Sequence, residues 1–564
     1  MTTNSFSSFA TSQQRIRLKL NGWSLGTLAV AFLVGLPILW VISLAFSPSD
    51  GIWEHLANTI LSQLVWTTLT LMTGVGIGTF AIGTATAWVV TMCRFPGRHF
   101  FEWALLVPMA VPAYVIAYVY SDLLEFSGPL QSFIRDFMGY QSRADYWFFE
   151  IRSLGGAIAM MTLVLYPYVY LLARTAFIEQ SASVLEASRT LGKGPWQSFF
   201  KVALPLARPA IAVGVSLVMM ETLNDYGTVD FFAVATFTTG IFDVWLNMNS
   251  QSGAAQLATA LLVFVTVLVG LERYQRRCQK YHQPTTRNVP FSKFKLSGIN
   301  AVLAFLTCAV PILCGFLVPA WVLTSYALNF YQDTLDANYW TITLNSLLLS
   351  GTAAFVAIIL GLFLAYSLRL GRAPWLNIVV RIATFGYAVP GAVLAIGIVM
   401  FLGSIDHLLN PVAQNVFGFS NGLLLSGTLI AVIFSYVVRF LSLSFGTAES
   451  GLTKITKSMD GAARTLGAGP FSTLRRVHMP MLKSSLMTAV LLVFVDGMKE
   501  LPMTTVLRPF DFETLATFVH QYASDELLAE ASFGALTIVA TGIIPVILLS
   551  RTMTKTQKHT DTTS

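Results

Sequence analysis

Apolar segments of about twenty residues recur along the whole chain, and they constrain its fold more than any other feature. A transmembrane helix needs about twenty mostly apolar residues, because each residue advances the helix by about 1.5 Å across a hydrocarbon core of about 30 Å. Hydrophobic residues make up 55% of the 564 residues and charged residues only 11%, whereas water-soluble domains carry roughly a quarter charged residues. The chain is therefore predicted to be an all-α polytopic membrane protein rather than a water-soluble enzyme.

Twelve segments are predicted to cross the membrane, in two sets of six. The first set lies near residues 24–46, 64–92, 101–121, 154–173, 209–224 and 253–271. The second set lies near residues 299–325, 342–368, 376–402, 421–443, 484–499 and 532–550. We predict a cytoplasmic N-terminal segment, a first six-helix domain, a cytoplasmic linker, a second six-helix domain and a cytoplasmic tail at residues 1–23, 24–272, 273–298, 299–551 and 552–564.

The distribution of Lys and Arg predicts the orientation. With the N-terminus in the cytoplasm, all but five of the 35 Lys and Arg residues fall on the inner side, as the positive-inside rule requires. Those five are Arg135, Arg143, Arg152, Lys499 and Arg508. Both termini are therefore expected to be cytoplasmic. Because the charges are scattered over short loops and form no basic face, no nucleic-acid partner is expected.

Short sequence motifs occur twice at a nearly constant spacing. The segment from Arg189 to Pro195 recurs from Arg464 to Pro470, 275 positions later. Other residues pair at the same spacing: Pro205 with Pro480, Glu221 with Asp496, Asp225 with Glu500, Phe237 with Phe512 and Thr239 with Thr514. Upstream pairs are 278 positions apart: Gly83 with Gly361 and Pro112 with Pro390. Two repeats of six spans each enter the membrane from the same side, so they are predicted to be parallel repeats that enclose a pathway at their interface.

The repeated motif lies in two cytoplasmic loops, at residues 178–208 and 447–483. In the first loop, a helix of small residues is predicted to end at the Gly-x-Gly-Pro sequence that begins with Gly192, and a second helix leads to Pro205. Small side chains allow another protein to approach closely, and the glycines supply a sharp turn. The pattern favours a docking element for a cytoplasmic partner.

These loops resemble the EAA loop of binding-protein-dependent ABC importer permeases. The resemblance implies the type I ABC importer permease fold and, in each loop, a coupling helix that docks in a groove of a cytoplasmic ATPase. The implied ATPase-coupling residues are Glu186, Ala187, Ser188, Gly192 and Pro205 in the first copy, and Asp460, Gly461, Ala462, Ala463, Gly467 and Pro480 in the second. The second copy departs from the pattern, because glycine replaces the glutamate and an aspartate stands one position earlier.

The same resemblance implies partners for this chain. No G-x-x-x-x-G-K-[ST] sequence occurs in it, so ATP and Mg are expected on two copies of a separate ABC ATPase and no cofactor on this chain. The longest outer loop, about residues 122–153, is too short to capture a solute with high affinity. A periplasmic or lipid-anchored binding protein is therefore implied, and the chain is expected to be a permease without catalytic residues in the bacterial inner membrane.

Three segments narrow the resemblance to the fused permeases of bacterial ferric-iron uptake. They run from Tyr166 to Tyr170, from Glu221 to Ile241 and from Lys499 to Phe510. Ferric iron and a ferric-iron-binding protein are therefore the expected solute and partner. Related permeases that move thiamine, polyamines or aminoethylphosphonate remain alternatives. A secondary transporter driven by an ion gradient is a further alternative, although it has no reason to carry paired EAA loops.

Ionisable residues inside membrane spans are costly to bury and often functional. The candidates for the solute pathway lie at the matched ends of the fifth and eleventh spans: Glu221, Asn224, Asp225, Asp496, Lys499 and Glu500. Hard trivalent cations prefer oxygen ligands, but this pattern fixes no metal site. The alternative interpretation is that these charges mark the outer membrane interface and pair with one another.

The remaining aromatic and imidazole groups are given structural interpretations. Tyr166, Tyr168 and Tyr170 do not share one helix face, so we interpret them mainly as packing aromatics. His407, His478 and His520 are isolated in the sequence and are interpreted as surface groups rather than ligands.

Overall fold

The computed structural model describes residues 22–49, 51–179, 190, 192, 194–278, 294–371, 374–417 and 423–561. Among these residues, eleven helices are long and apolar enough to cross a membrane, and a bent pair, Arg98–Ala110 with Ala113–Met138, supplies a twelfth crossing. Many large apolar side chains on these helices are exposed, including those of Phe32, Trp66 and Phe355, as contact with lipid requires. The predicted all-α architecture with about twelve spans is confirmed.

The described α-helices of the first half are α1 (Gly22–Ala45), α2 (Ile52–Thr59), α3 (Leu61–Met92), α4 (Arg98–Ala104), α5 (Ala113–Leu124), α6 (Pro129–Met138), α7 (Leu154–Glu179), α8 (Pro195–Ser198), α9 (Leu204–Asn224), α10 (Gly227–Phe231), α11 (Phe237–Phe242) and α12 (Gln251–Cys278). Shorter turns join them: 3₁₀ turns at Val107–Ala110 and Arg143–Asp145, and π-helical turns at Phe199–Ala203 and Asp243–Asn247.

The described α-helices of the second half are α13 (Ile299–Ile312), α14 (Val318–Thr334), α15 (Ala337–Leu370), α16 (Pro374–Ala383), α17 (Gly391–Phe417), α18 (Leu429–Thr453), α19 (Lys457–Thr465), α20 (Pro470–Thr473), α21 (Met479–Met498), α22 (Pro502–Leu507), α23 (Leu515–Ser524) and α24 (Leu528–Asp561). A 3₁₀ turn lies at Phe385–Ala388, and π-helical turns lie at Leu313–Leu317 and Leu474–His478.

The third span of each half is broken, although the sequence predicted continuous spans over residues 101–121 and 376–402. Val111 and Val389 have extended backbones, with ψ of 122° and 128°. The prolines that follow, Pro112 and Pro390, cause the breaks, because proline has no N–H to donate and disfavours helical geometry in the preceding residue. In the first half the two helical segments meet at 89°.

Close packing around two glycines shows that the halves are structural repeats. A Cβ atom at Gly83 would lie 2.8 Å from the backbone nitrogen of Tyr170, and one at Gly361 would lie 2.8 Å from that of Phe445. Only glycine lets α3 approach α7, and α15 approach α18, at these points. The π-helical turns Phe199–Ala203 and Leu474–His478 are also 275 positions apart.

The structure corrects one part of the repeat alignment. The sequence paired Phe237 with Phe512 and Thr239 with Thr514. The structure instead makes Thr236 equivalent to Thr514, and Phe237 to Leu515, since Thr236 and Thr514 both cap the N-terminus of a helix in a capping box. The next backbone N–H donates to a buried hydroxyl in each half, that of Thr68 at 3.2 Å and that of Ser346 at 2.7 Å. Equivalent residues of the two halves are therefore again 278 positions apart after the fifth span, as they are before the cytoplasmic loop.

The first span of each half reaches across to the opposite half. α1 contacts α15, α16 and α17 of the second half, and α14 contacts α5 of the first half as well as α24 of its own half. The hydroxyl of Thr27 donates to that of Ser367 at 2.8 Å, and the hydroxyl of Tyr326 donates to Asp122 at 2.6 Å. These contacts tie the two halves together.

Part of the predicted linker forms regular structure. α12 continues to Cys278, and the two-residue strand β2 (Phe294–Lys295) pairs in parallel with β1 (Cys93–Arg94). The backbone N–H of Leu296 also donates to the carbonyl of Arg94 at 3.1 Å. The start of the second half is therefore tied to the end of α3.

Candidate functional site

A cavity of about 120 Å³ lies between the two halves. Its wall includes the break in the third span, at Val111 to Ala113, and the ends of α9 and α21. All six residues predicted for the pathway line this cavity: Glu221, Asn224, Asp225, Asp496, Lys499 and Glu500. The structure thus brings together side chains that lie about 275 positions apart in sequence.

Two of these carboxylates also hold the local backbone. Oδ1 of Asp225 accepts from the backbone N–H of Thr228 at 2.9 Å, and Oε1 of Glu500 accepts from that of Met503 at 3.4 Å. Each carboxylate therefore satisfies an N–H near the start of the short helix that follows, α10 or α22. This shared geometry explains why the ends of α9 and α21 turn into the cavity wall in the same way.

The charges in the cavity do not cancel. Lys499 lies 3.0 Å from Asp496, and Arg439 lies 3.1 Å from Glu500. Asp225 and Glu221 have neutral partners, and the hydroxyl of Tyr387 donates to Glu221 at 2.9 Å. Four carboxylates against two cations give the lining a formal charge of −2, since no further Asp, Glu, Lys or Arg lines the cavity among the described residues.

Polar contacts cross the interface between the halves at the same depth. Oδ1 of Asn224 accepts from the backbone N–H of Gly391 at 2.7 Å. Gly391 is the first residue of α17 after the proline break, where helical N–H groups have no intrahelical acceptor. A Cβ atom there would lie 2.7 Å from Nη1 of Arg439 and 3.1 Å from Oε1 of Glu500. Glycine at this position lets the helix start against the buried ion pair.

Among the polar residues of the cavity, sequence reasoning missed Arg439 and Tyr387. Arg439 was counted with the cytoplasmic loop, but α18 runs from Leu429 to Thr453 and places it in mid-helix with 6% exposure. The rule that selected Glu221 as an intramembrane ionisable residue would have selected Arg439 as well. Tyr387 follows a glycine in an apolar segment, and only the fold places its hydroxyl near Glu221.

The three tyrosines differ in their surroundings, and so do the three histidines. Tyr166 and Tyr170 are fully buried, as expected of packing residues, whereas Tyr168 lines the cavity. His407 is exposed, but His478 is 1% exposed and the surface interpretation of it is wrong. His520 is also not a plain surface group, because burial lowers its pKa to about 4. Within the described ranges, no three His, Cys, Asp or Glu side chains are spaced to hold a metal ion.

The second cytoplasmic loop forms a short helix, α19, as the motif predicted. Gly461, Ala462 and Arg464 are exposed, and Leu466 after the helix is 87% exposed. Gly467 has a φ of 77° and terminates the helix, with the N–H of Ala468 bonded to the carbonyl of Ala463. α19 therefore has an exposed surface that includes the small residues Gly461 and Ala462, whereas Ala463 of the motif is buried.

Asp460 of α19 points away from this exposed surface. Its carboxylate accepts hydrogen bonds from Arg369 at 2.9 Å and from His478 at 2.7 Å. Burial by itself raises the pKa of this carboxyl, but the hydrogen bonds from Arg369 and His478 outweigh burial and leave the pKa below its usual value.

The first cytoplasmic loop is described only in part. Glu186, Ala187 and Ser188 lie outside the described residues. Gly192 has a φ of 75°, close to that of Gly467, and Pro205 is the second residue of α9, as Pro480 is of α21. The described residues of the two loops therefore share the same turn and the same start of the next span.

Comparison with known proteins agrees with the division of the chain into two repeats. The family described as "Binding-protein-dependent transport system inner membrane component" matches twice, at residues 77–278 and 357–556. Fe(3+)-transport system permease protein FbpB 2 of Haemophilus influenzae is 27% identical over 88% of this chain and 91% of its own length. Ferric transport system permease protein FbpB of Actinobacillus pleuropneumoniae is 22% identical over 88% of this chain and 72% of its own length. Sulfate transport system permease protein CysT of Escherichia coli is 31% identical over 40% of this chain and 79% of its own length.

Proposed function

Because this chain belongs to the family of binding-protein-dependent transport system inner membrane components, we propose that it is the permease through which a bacterium imports ferric iron. The chain is a multi-pass membrane protein with two family domains in the type I ABC importer permease fold. Relatives that cover both halves are named for ferric transport. Family membership favours an ATP-driven importer. The number of spans alone was also compatible with a carrier driven by an ion gradient.

The charge of the cavity is the observation that carries the choice of solute. Its wall bears a formal charge of −2, with carboxylate oxygens from both halves and the phenols of Tyr168 and Tyr387. Hard trivalent cations take oxygen ligands, and two unit charges 4 Å apart attract by about 4 kcal/mol at an effective dielectric constant of 20. An oxyanion such as sulfate would be repelled by the same wall. The lining therefore supports a cation as the transported solute.

The proposed mechanism divides the work between this chain and its partners. A ferric-iron-binding protein delivers the ion to the outer side, and two copies of a cytoplasmic ATPase, which bind ATP and Mg, dock on the two coupling loops. ATP binding draws the loops together and shifts the permease between its inward-open and outward-open states. The side chains of this chain neutralise the ion as it passes, without retaining it. Both termini lie in the cytoplasm of this arrangement.

The test is uptake of radiolabelled ferric iron into proteoliposomes that contain this chain with its co-encoded ATPase and binding protein. Uptake should require ATP at the cytoplasmic face and the binding protein. An excess of sulfate, thiamine or a polyamine should not compete.

Different results would test the transporter class and the identity of the solute independently. ATP hydrolysis stimulated by the binding protein without iron movement would keep the importer class and discard iron. Competition by a polyamine would identify a different cation. Iron uptake that is independent of ATP would contradict the coupling to an ATPase.

A further inference from the structure

The carboxylate of Asp460 joins α19 to two membrane-spanning helices. Nε and Nη2 of Arg369, near the end of α15, lie 2.9 and 3.1 Å from its two oxygens. Nε2 of His478, in the turn that leads into α21, lies 2.7 Å from Oδ1. An ionised carboxylate only accepts hydrogen bonds, so this imidazole nitrogen carries a proton. One side chain thus links α15, α19 and α21.

Arg369 extends the linkage to the end of α18. Its Nη1 donates to the carbonyl of Leu452 at 2.5 Å, and its Nη2 donates to that of Ile455 at 3.0 Å. The last carbonyls of a helix have no intrahelical partner and carry a partial negative charge, which the guanidinium satisfies. Since the side chains of Arg369, Asp460 and His478 are 12%, 19% and 1% exposed, the linkage is stronger than a typical surface ion pair.

In sequence, the first half does not repeat the three side chains of this cluster. The residues at the matched positions are uncharged: Thr91 for Arg369, Leu185 for Asp460 and Ala203 for His478. The hydroxyl of Thr91 donates to the carbonyl of Ala87 in its own helix at 2.6 Å. Nearby, the ring of Trp88 packs on that of Phe199, with centroids 5.0 Å apart.

We infer that Asp460 is a positioning residue, which holds the second coupling helix, α19, against α15 and α21 and transmits its movement to the cavity. α21 starts beside His478 and carries Asp496 at its other end, so a displacement of α19 reaches the cavity wall through one helix. Because the matched positions of the first half carry uncharged residues, we expect the two halves to transmit movement unequally. This inference rests on the proposed coupling to an ATPase.

The test compares variants of the full chain, assembled with its ATPase and binding protein in proteoliposomes. Asp460→Asn keeps the size of the side chain and removes its charge. The amount of iron imported per ATP hydrolysed should fall about tenfold, while co-purification of the ATPase stays within about twofold of wild type. His478→Ala should have the same effect. His478→Gln, whose amide still donates a hydrogen bond, should restore at least about half of the ratio.

A double variant and a matched control complete the test. Asp460→Asn with His478→Ala should be no worse than either single change, because both break one linkage. Asp136→Asn removes an exposed carboxylate from α6 and should leave the ratio unchanged.

Each other result overturns something specific. A normal ratio in Asp460→Asn, additive losses in the double variant, or loss of ATPase co-purification would overturn the positioning role. If Asp460→Asn does not fold, equal ratios in His478→Ala and His478→Gln would overturn it. Import by the wild-type complex without ATP would instead refute the proposed function, so the two failures are distinguishable.

Discussion

Nη1 of Arg439 lies 3.1 Å from Oε2 of Glu500, and the two side chains are only 7% and 5% exposed. Arg439 belongs to the middle of α18, whereas Glu500 follows the end of α21. A buried ion pair contributes little net stability compared with apolar residues, but a single buried charge without its partner is costly. The pair therefore holds two helices at the cavity wall in one arrangement.

Arg439→Met should destabilise the protein, because it leaves the carboxylate of Glu500 buried without its cation. The expected loss is about 3–5 kcal/mol. Thermal unfolding in detergent micelles, followed by circular dichroism, measures it. The double variant Arg439→Met/Glu500→Gln should recover most of the loss, and a double variant as unstable as the single one would contradict this explanation.

Glu221→Gln with Asp496→Asn should abolish most iron uptake, because the formal charge of the cavity rises from −2 to zero. Each lost attraction at 4 Å is about 4 kcal/mol at an effective dielectric constant of 20, so uptake should fall more than tenfold. Uptake is measured in proteoliposomes, together with co-purification of the ATPase, which should not change. Unchanged uptake would show that both carboxylates have a structural role and none in transport.

Gly391→Ala should impair folding or uptake, since its Cβ atom would lie 2.7 Å from Nη1 of Arg439 and 3.0 Å from Cγ of Pro502. Overpacking of this kind costs roughly 1–3 kcal/mol. Gly403→Ala in the same helix is the matched control, because a Cβ atom there meets nothing within 4 Å and alanine favours the helix. Equal unfolding temperatures for the two variants would contradict the crowding.

Glu186→Lys should weaken docking of the ATPase, if the first EAA loop makes the contact that its sequence implies. A roughly tenfold loss of affinity corresponds to about 1.4 kcal/mol. Co-purification of the ATPase measures docking, and the amount of variant in the membrane fraction controls for insertion. Normal co-purification would exclude Glu186 from the docking surface.

The stabilisation supplied by Asp460 should depend on pH. Its pKa is lower in the folded protein than the usual 3.8, so the stabilisation is fully present above the unfolded pKa and is lost as the pH falls through the folded pKa. The difference in unfolding temperature between wild type and Asp460→Asn should therefore shrink as the pH falls below about pH 4. A difference that does not shrink below about pH 4 would contradict this assignment.

Much of the architecture could be predicted from the sequence, because the signals are local. Apolar segments of about twenty residues located the spans, and repeated motifs located the two halves. Pro112 and Pro390 were recognised as a repeated pair, but their effect on the helix was not, although the geometry before a proline is also a local property. The contacts of α1 and α14 with the opposite half have no such local signal, since they depend on which surfaces pack together.

The sequence by itself determined the membrane class, the two-repeat organisation and the six candidate pathway residues, since hydropathy, spacing and intramembrane charge are visible in one dimension. Only the tertiary structure decided that Arg439 and Tyr387 share the cavity with Glu221 and Glu500, and that Asp460 faces Arg369 and His478. Those contacts join residues 18 to 166 positions apart. Hydrogen bonds and ion pairs act over a few ångströms in space, so they exist only after packing has brought the helices together.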